Sequence, residues 1–257
     1  LSREHEVVLF EREARLGGHT HTHKVTQGER SYSVDSGFIV FNADNYPLFS
    51  RMLDELGVPS QPTTMSFSVQ DARSGLEYNA TDFDGLFCQR RNLVSPRFWG
   101  MVRDILRFYR EAPALLALPG EGPSLGDYLA QNRYSQLFIE DHLVPMASAL
   151  WSSPAEGIMG FPAKYLARFM DNHHMLQVQG RPPWRVVSGG SSSYIRALEK
   201  DWKVQVRLSS PVRQVRRDAD GVDVHTDAGV ERFDQVVLAC HSDQALALLA
   251  DPSAAET

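Results

Sequence analysis

Val7-Val8-Leu9-Phe10-Glu11-Arg12-Glu13-Ala14-Arg15-Leu16-Gly17-Gly18-His19-Thr20 decides how this chain is read. Val7–Phe10 is an apolar run of four residues ended by an acid. A run of that kind, bounded by polar residues, fits a parallel strand buried on both faces. In a dinucleotide-binding β-α-β unit an acid ends the second strand, and its carboxylate accepts hydrogen bonds from ribose hydroxyls. Glu11 stands at that place, and its charge would repel a 2′-phosphate, which disfavours NADP. A solvated acid at a strand end fits the same letters. Further on, Gly17 and Gly18 permit positive φ and close backbone approach, and exposed amides there can bind an anion. An ordinary turn is the competing reading.

Upstream, Leu1–Glu6 is mixed and polar. A buried central strand rarely opens a domain, so further sequence is expected before Leu1. Asp251–Thr257 is small and polar and follows an unfinished β–α pattern, so more is expected after it. Downstream of the glycine pair, Asp35-Ser36-Gly37-Phe38-Ile39-Val40-Phe41 offers a second glycine for close backbone approach; a plain strand start fits equally. Leu48, Met52 and Leu56 recur at helical spacing, and Gly57 and Pro59 end that helix. Residues 60–90 alternate as strands around an Asp71–Gly75 turn. From about Ser95 to His174 the pattern is helical. Met101, Ile105, Phe108 and Ala112 mark one face, and Ser124…Asp127 forms a capping box. After residue 184 strands return: Trp184–Val187, Val204–Leu208, Val212–Val215, Val222–Val224 and Val236–Ala239, with a hairpin turn at Asp220-Gly221. The order is α/β, then a β-plus-helical insert, then α/β again, which predicts a ligand pocket at the insertion.

Composition narrows the function classes. Hydrophobic residues are 42% and charged residues 23% of 257, so the chain is globular, not disordered. The net charge of -6 argues against a sequence-independent grip on nucleic acid. Two cysteines, Cys88 and Cys240, make neither a disulfide framework nor a metal spacing. No apolar stretch reaches the roughly 18–20 residues of a transmembrane segment, and no signal-peptide pattern opens the sequence. A cytoplasmic setting is expected, with peripheral membrane contact compatible with it.

Together these residues resemble a family. Val7–Thr20 is similar to the extended dinucleotide motif of flavin-containing amine oxidases, phytoene desaturases and protoporphyrinogen oxidases, in which a strand ending in Glu precedes R-x-G-G-[RHW]-x-x-T. Val187-Ser188-Gly189-Gly190 through Ala197-Leu198 resembles the family's G-G-x-x-x-[LY]-x-x-A-L segment. Val212–Val215, Asp220–Val222 and Val236–Ala239 resemble its returning strands. The insert matches loosely. Phe161–Ala163, Asn172–His174 and Trp184–Val187 resemble segments of a bacterial branch of predicted NAD/FAD-binding, amine-oxidase-like proteins.

The resemblance implies an α/β fold. Residues 1–59 and 184–257 would form a Rossmann-like FAD-binding domain, discontinuous and incomplete, and residues 60–183 an inserted substrate domain. The cofactor implied is FAD, and the reaction is hydride removal from a substrate carbon to flavin N5. Glu11 would hold the adenosine ribose with Arg12 alongside. Gly17, Gly18, His19 and Thr20 would line the diphosphate and ribityl path. Ser36, Gly37, Phe38 and Ile39 would sit by the flavin, and Val212 would offer its backbone to the adenine. The family's strand with G-x-G-x-x-G and its late segment over the flavin have no counterpart in these residues, so a chain of this extent alone is expected to bind FAD weakly or not at all. No catalytic residue is named. The apolar insert suggests a small-molecule substrate, lipid-like or an amine; the oligomeric state is left open. An NAD-dependent dehydrogenase and a non-catalytic binding module are the alternatives.

His19, His21 and His23 alternate, and on a strand all three would share a face. With no carboxylate or thiol partner evident, they are expected to be polar neighbours of the cofactor path instead of metal ligands. His173 and His174 would diverge on a helix.

Overall fold

A computed structural model describes residues 1–151 and 153–257. Its strands, in chain order, are β1 Val7–Phe10, β2 Thr22–Gln27, β3 Arg30–Asp35, β4 Ser60–Pro62, β5 Ser68–Asp71, β6 Leu76–Asn79, β7 Arg185–Val187, β8 Val204–Arg207, β9 Val212–Asp218, β10 Gly221–Thr226 and β11 Gly229–Phe233. The chain divides into two compact units, one of residues 1–39, 52–60 and 187–257, the other of residues 40–51 and 61–186. Residues 40–51, expected with the first segment, group with the second unit. Phe41, 2% exposed, packs edge-on to Phe49, and its amide and carbonyl bond Arg185.

In the first unit β1 runs parallel to β8, from Val7 opposite Val204 to Phe10 opposite Arg207. A parallel partner is what the apolar run predicts. The run is half-buried instead of buried, because among the described residues only β8 pairs with it. β2 and β3 form an antiparallel hairpin, and β9, β10 and β11 a three-stranded meander. Its first turn is the predicted Asp220-Gly221; the Gly221 φ of +154° and the Phe233 carbonyl, which a Cβ would approach to 2.6 Å, leave room for glycine alone. Val215, Val222 and Val224 are the buried centre, with Phe10, Val212, Phe233 and Leu238 against them.

Val236–Ala239, expected as a strand, enters no ladder. Leu238 packs on the valine cluster while Val237 is 72% exposed. An apolar run becomes a strand only where a neighbour takes its amides and carbonyls, and among the described residues none lies beside this one.

The second unit is mainly helical. Helix Pro96–Glu111 starts where the sequence demands: Ser95 Oγ accepts the Phe98 amide, and Pro96 needs no donor in the first turn. Its predicted apolar face, Met101, Ile105, Phe108 and Ala112, is buried. Of the expected Ser124–Asp127 capping box the N-cap half forms, with the Asp127 amide donating to Ser124 Oγ at 3.1 Å, while the Asp127 carboxylate accepts the Ser124 hydroxyl at 2.7 Å. Helix Ala163–Asn172 ends at His173, which stacks on Phe169, and His174 turns to a φ of +53°. The two histidines thus cap a helix instead of diverging along one. Among the described residues one cluster of twenty-four buried side chains holds the unit together.

Candidate functional site

The site lies in the first unit, at the end of β1. Its last residue, Phe10, leads into Glu11, whose amide donates to the Arg207 carbonyl at 2.9 Å and so continues the β1–β8 ladder. Glu11 Oε1 accepts the Glu13 amide at 2.8 Å, which turns the chain and fixes the carboxylate. Oε2 takes no hydrogen bond among the described residues. Arg12 is exposed and reaches only Glu13.

The chain then enters the glycine turn. Gly17 has a φ of +114° and Gly18 of +55°, both in the region that favours glycine. The Thr20 amide donates to the Gly17 carbonyl at 2.8 Å, and a Cβ on Gly17 would lie 2.5 Å from the Thr20 oxygen. Arg15 holds the turn from inside. Its Nη2 donates to the Gly18 carbonyl at 2.8 Å and its Nη1 to the Thr20 carbonyl at 3.2 Å. With the carbonyls taken up by a guanidinium, the amides of Gly18 and His19 have no intramolecular acceptor among the described residues. A Cβ on Gly18 would meet nothing within 4 Å. Backbone donors beside open space, backed by a cation, suit an anion.

A second segment braces the turn. The Ser36 amide donates to the His21 carbonyl at 3.1 Å and the Phe38 amide to the His19 carbonyl at 3.2 Å. These bonds extend the β2–β3 ladder past its ends. Gly37 is needed there: a Cβ would fall 1.9 Å from the His19 oxygen. Its close approach is thus to its own chain. The Ser36 hydroxyl bonds His23 Nε2 at 2.9 Å. Phe38 is half-buried and Ile39 47% exposed.

A third segment joins through Asp35. Its carboxylate accepts the Ser191 amide at 3.0 Å, the Ser191 hydroxyl at 2.8 Å and the Thr22 hydroxyl at 2.5 Å. Thr22 and Ser192 exchange bonds, amide to hydroxyl in each direction, at 3.0 and 2.9 Å. Gly190, at a φ of +97°, brings Thr22 so close that a Cβ would sit 2.4 Å from its methyl carbon. Thr20, 6% exposed, hydrogen-bonds the Tyr194 hydroxyl. The predicted Gly189-Gly190-Ser-Ser-Ser stretch therefore anchors the glycine turn.

The histidines do not share one face. β2 begins at Thr22, so His19 and His21 precede it. The His21 and His23 rings lie with centroids 3.9 Å apart and planes tilted by 44°, whereas His19 meets His241 edge-on at 5.2 Å. Loss of hydration, then Arg15 and then His23, lower the His21 pKa below its ordinary value. Among the described residues no group of three or more His, Cys, Asp or Glu could hold a metal. Val212 opens β9 and packs on the valine cluster, away in sequence from the turn.

Of the residues singled out from sequence, Gly17, Gly18, His19, Thr20, Ser36, Gly37 and Phe38 meet in one braced loop that follows Glu11. Arg15, Asp35, Ser191, Ser192, Tyr194 and His241 complete it and were not singled out. Arg15 stands inside the quoted motif and Ser191–Ser192 follow a glycine pair. His241 has no local signal.

Over residues 1–257 the sequence matches the family described as flavin containing amine oxidoreductase, and the chain belongs to that family. Its α/β fold is shared with solved structures. Putrescine oxidase bound to putrescine is 20% identical, with a TM-score of 0.61 over 92% of this chain and 53% of that one. Cyclohexylamine oxidase from Brevibacterium oxydans is 16% identical, with a TM-score of 0.67 over 95% and 54%. A fatty acid isomerase from P. acnes that produces CLA is 16% identical, with a TM-score of 0.57 over 97% and 56%. The chain thus spans about half the length of these structures. No curated protein matches it. Among the described residues no helix is long and apolar enough to cross a membrane.

Proposed function

We propose that residues 1–39 and 187–257 contribute to an FAD site, and that the protein is an FAD-dependent oxidoreductase acting on a small molecule, an amine or a lipid-like compound. The observation that carries this is the sequence Glu11, braced glycine turn, free amides. The residues fit the group. Glu11 Oε2 is left to accept from the ribose hydroxyls, and its charge opposes a 2′-phosphate. The Gly18 and His19 amides, on the turn whose Gly18 and Thr20 carbonyls Arg15 takes up, would face an anion such as the diphosphate. Ser36–Phe38 and Ser191–Ser192 hold the turn in shape before any ligand arrives, which lowers the ordering cost of binding. Val212 would offer its backbone to the adenine and Ile39 would sit by the flavin. When bound, FAD supplies the hydride-accepting centre, flavin N5. The insert, residues 60–183, would hold the substrate. Its structural neighbours include two amine oxidases and a fatty acid isomerase.

The test is FAD binding by the full-length protein, followed by quenching of flavin fluorescence. Glu11→Gln is expected to weaken binding roughly 10- to 100-fold, the range for removing a charged hydrogen-bond acceptor. Saturable NADH binding with no flavin affinity would replace this proposal by a nicotinamide-dependent one. Binding of neither would leave a non-catalytic module.

A further inference from the structure

The second unit carries a surface whose charge runs against the rest of the chain. The whole chain has a net charge of -6. Residues 82–111 hold six arginines, three aspartates, one glutamate and no lysine, a net of +2. Asp84 pairs with Arg90, Glu111 pairs with Arg107 and Arg110, and Arg91, Arg97 and Arg103 have no carboxylate partner among the described residues.

The same stretch exposes large apolar side chains: Val94 at 84%, Phe83 at 64%, Leu106 at 50%, Trp99 at 44% and Leu93 at 40%. They adjoin one another. Phe83 and Trp99 both pack on the ring of buried Phe87, at centroid distances of 4.7 and 5.1 Å. Trp99 Nε1 donates to the Leu93 carbonyl at 2.9 Å, which ties the indole to the Leu93-Val94 turn. Along helix Pro96–Glu111, residues Trp99, Arg103, Leu106 and Arg110 fall at i, i+4, i+7 and i+11, a single stripe of alternating apolar and cationic side chains, none of them buried. Beside it, Arg91 and Arg97 line one cleft of about 270 Å³ together with Ser74, Asn92 and Ser95.

Scattered exposed apolar residues need no explanation, but an adjoining group rimmed by cations marks an interaction surface. An indole is at home at a membrane–water interface. Guanidinium groups bind phosphate in a bidentate fork, and an anionic leaflet attracts clustered arginines. A second copy of the chain would set one arginine-bearing patch against another in a two-fold dimer, which like charge opposes.

We propose that this face docks on an anionic phospholipid bilayer. Phe83, Leu93, Val94 and Trp99 enter the interfacial layer, while Arg91 and Arg97 hold lipid phosphate at the cleft. The proposal stands on this unit alone and does not depend on the flavin site.

The experiment is co-sedimentation of the full chain with vesicles of equimolar phosphatidylglycerol and phosphatidylcholine, against vesicles of phosphatidylcholine alone. Binding is expected to the anionic vesicles, with release by high salt and a blue shift of tryptophan emission. Val94→Asp, and separately Arg91→Glu with Arg97→Glu, are each expected to lower binding about tenfold or more. These side chains are exposed, and unchanged circular dichroism and melting temperature check that the fold is kept. Equal sedimentation with both vesicle types, or binding that survives these substitutions, would overturn the proposal. So would self-association on size exclusion that Val94→Asp abolishes while neither vesicle type is bound, which would make the occupant a second copy.

Discussion

The two units are stabilised by different means. The second rests on one cluster of twenty-four buried residues, dense in aromatic rings. The first has three buried valines at the centre of its meander, and its loops are held by glycine contacts, hydroxyls, Asp35 and Arg15. An apolar core tolerates changes outside it and fails when a large side chain is removed. A polar loop fails when a single donor, acceptor or glycine is altered. That contrast suits a unit that offers fixed amides to a ligand and a unit that shapes an apolar environment.

The largest expected effect tests the core. Phe108, 1% exposed, packs against Tyr128, Tyr134 and Phe138. Phe108→Ala is expected to cost about 4 kcal/mol in denaturant unfolding, with FAD affinity little changed.

Acid should also separate the units. His142, 2% exposed, bonds the Tyr78 hydroxyl through Nδ1, and its Nε2 has no partner among the described residues. Burial, with Arg181 adding to it, pushes its pKa down to about 4. The unfolded chain takes up this proton near pH 6.5, well before the folded chain does. The stability from neutral His142 is therefore full above about pH 6.5, falls as the pH drops, and stops falling below about pH 4, a loss of about 3 kcal/mol. Denaturant midpoints across that range should show the slope, and His142→Leu should flatten it.

In the first unit, Gly37→Ala forces a Cβ onto the His19 oxygen and is expected to cost about 2 kcal/mol while abolishing FAD binding. Asp35→Ala leaves the Ser191 amide, in a residue 1% exposed, without its acceptor. It is expected to cost about 2 kcal/mol, and FAD titration beside thermal melting would show whether affinity falls with it. The smallest effect belongs to Arg213→Ala. Its ion pair with Asp227 is exposed on both sides, and no measurable change in midpoint is expected.

Much of this was legible in local sequence. The Val7–Phe10 strand, the Met101–Ala112 helix face, the Ser124 cap and the Asp220-Gly221 turn depend on neighbours within a few residues, and each appears where its letters place it, whereas the expected face of Leu48, Met52 and Leu56 does not, since Leu48 is 72% exposed and Leu53 is the buried residue of that helix. Val236–Ala239 did not follow, because a strand needs a partner that its own letters cannot specify. Gly17, Gly18 and Gly37 were marked as points of close approach. For Gly37, what it approaches was set by the hairpin and not by any ligand. Asp35 was a residue beside a glycine until Ser191, 156 positions later, was folded against it. His19 looked like a partner of His21 and meets His241 edge-on instead.

Residue order alone accounts for the α/β pattern, the helical insert, the acid after the first strand and the family, since periodicity, caps and short motifs are properties of adjacent residues. Folding alone decided which carbonyls Arg15 takes up, and therefore which amides are left facing outward. It also decided which arginines share a cleft, and which exposed rings adjoin. Those are distances between segments far apart in the chain, and they exist only once hydrogen bonds and packing have brought the segments together.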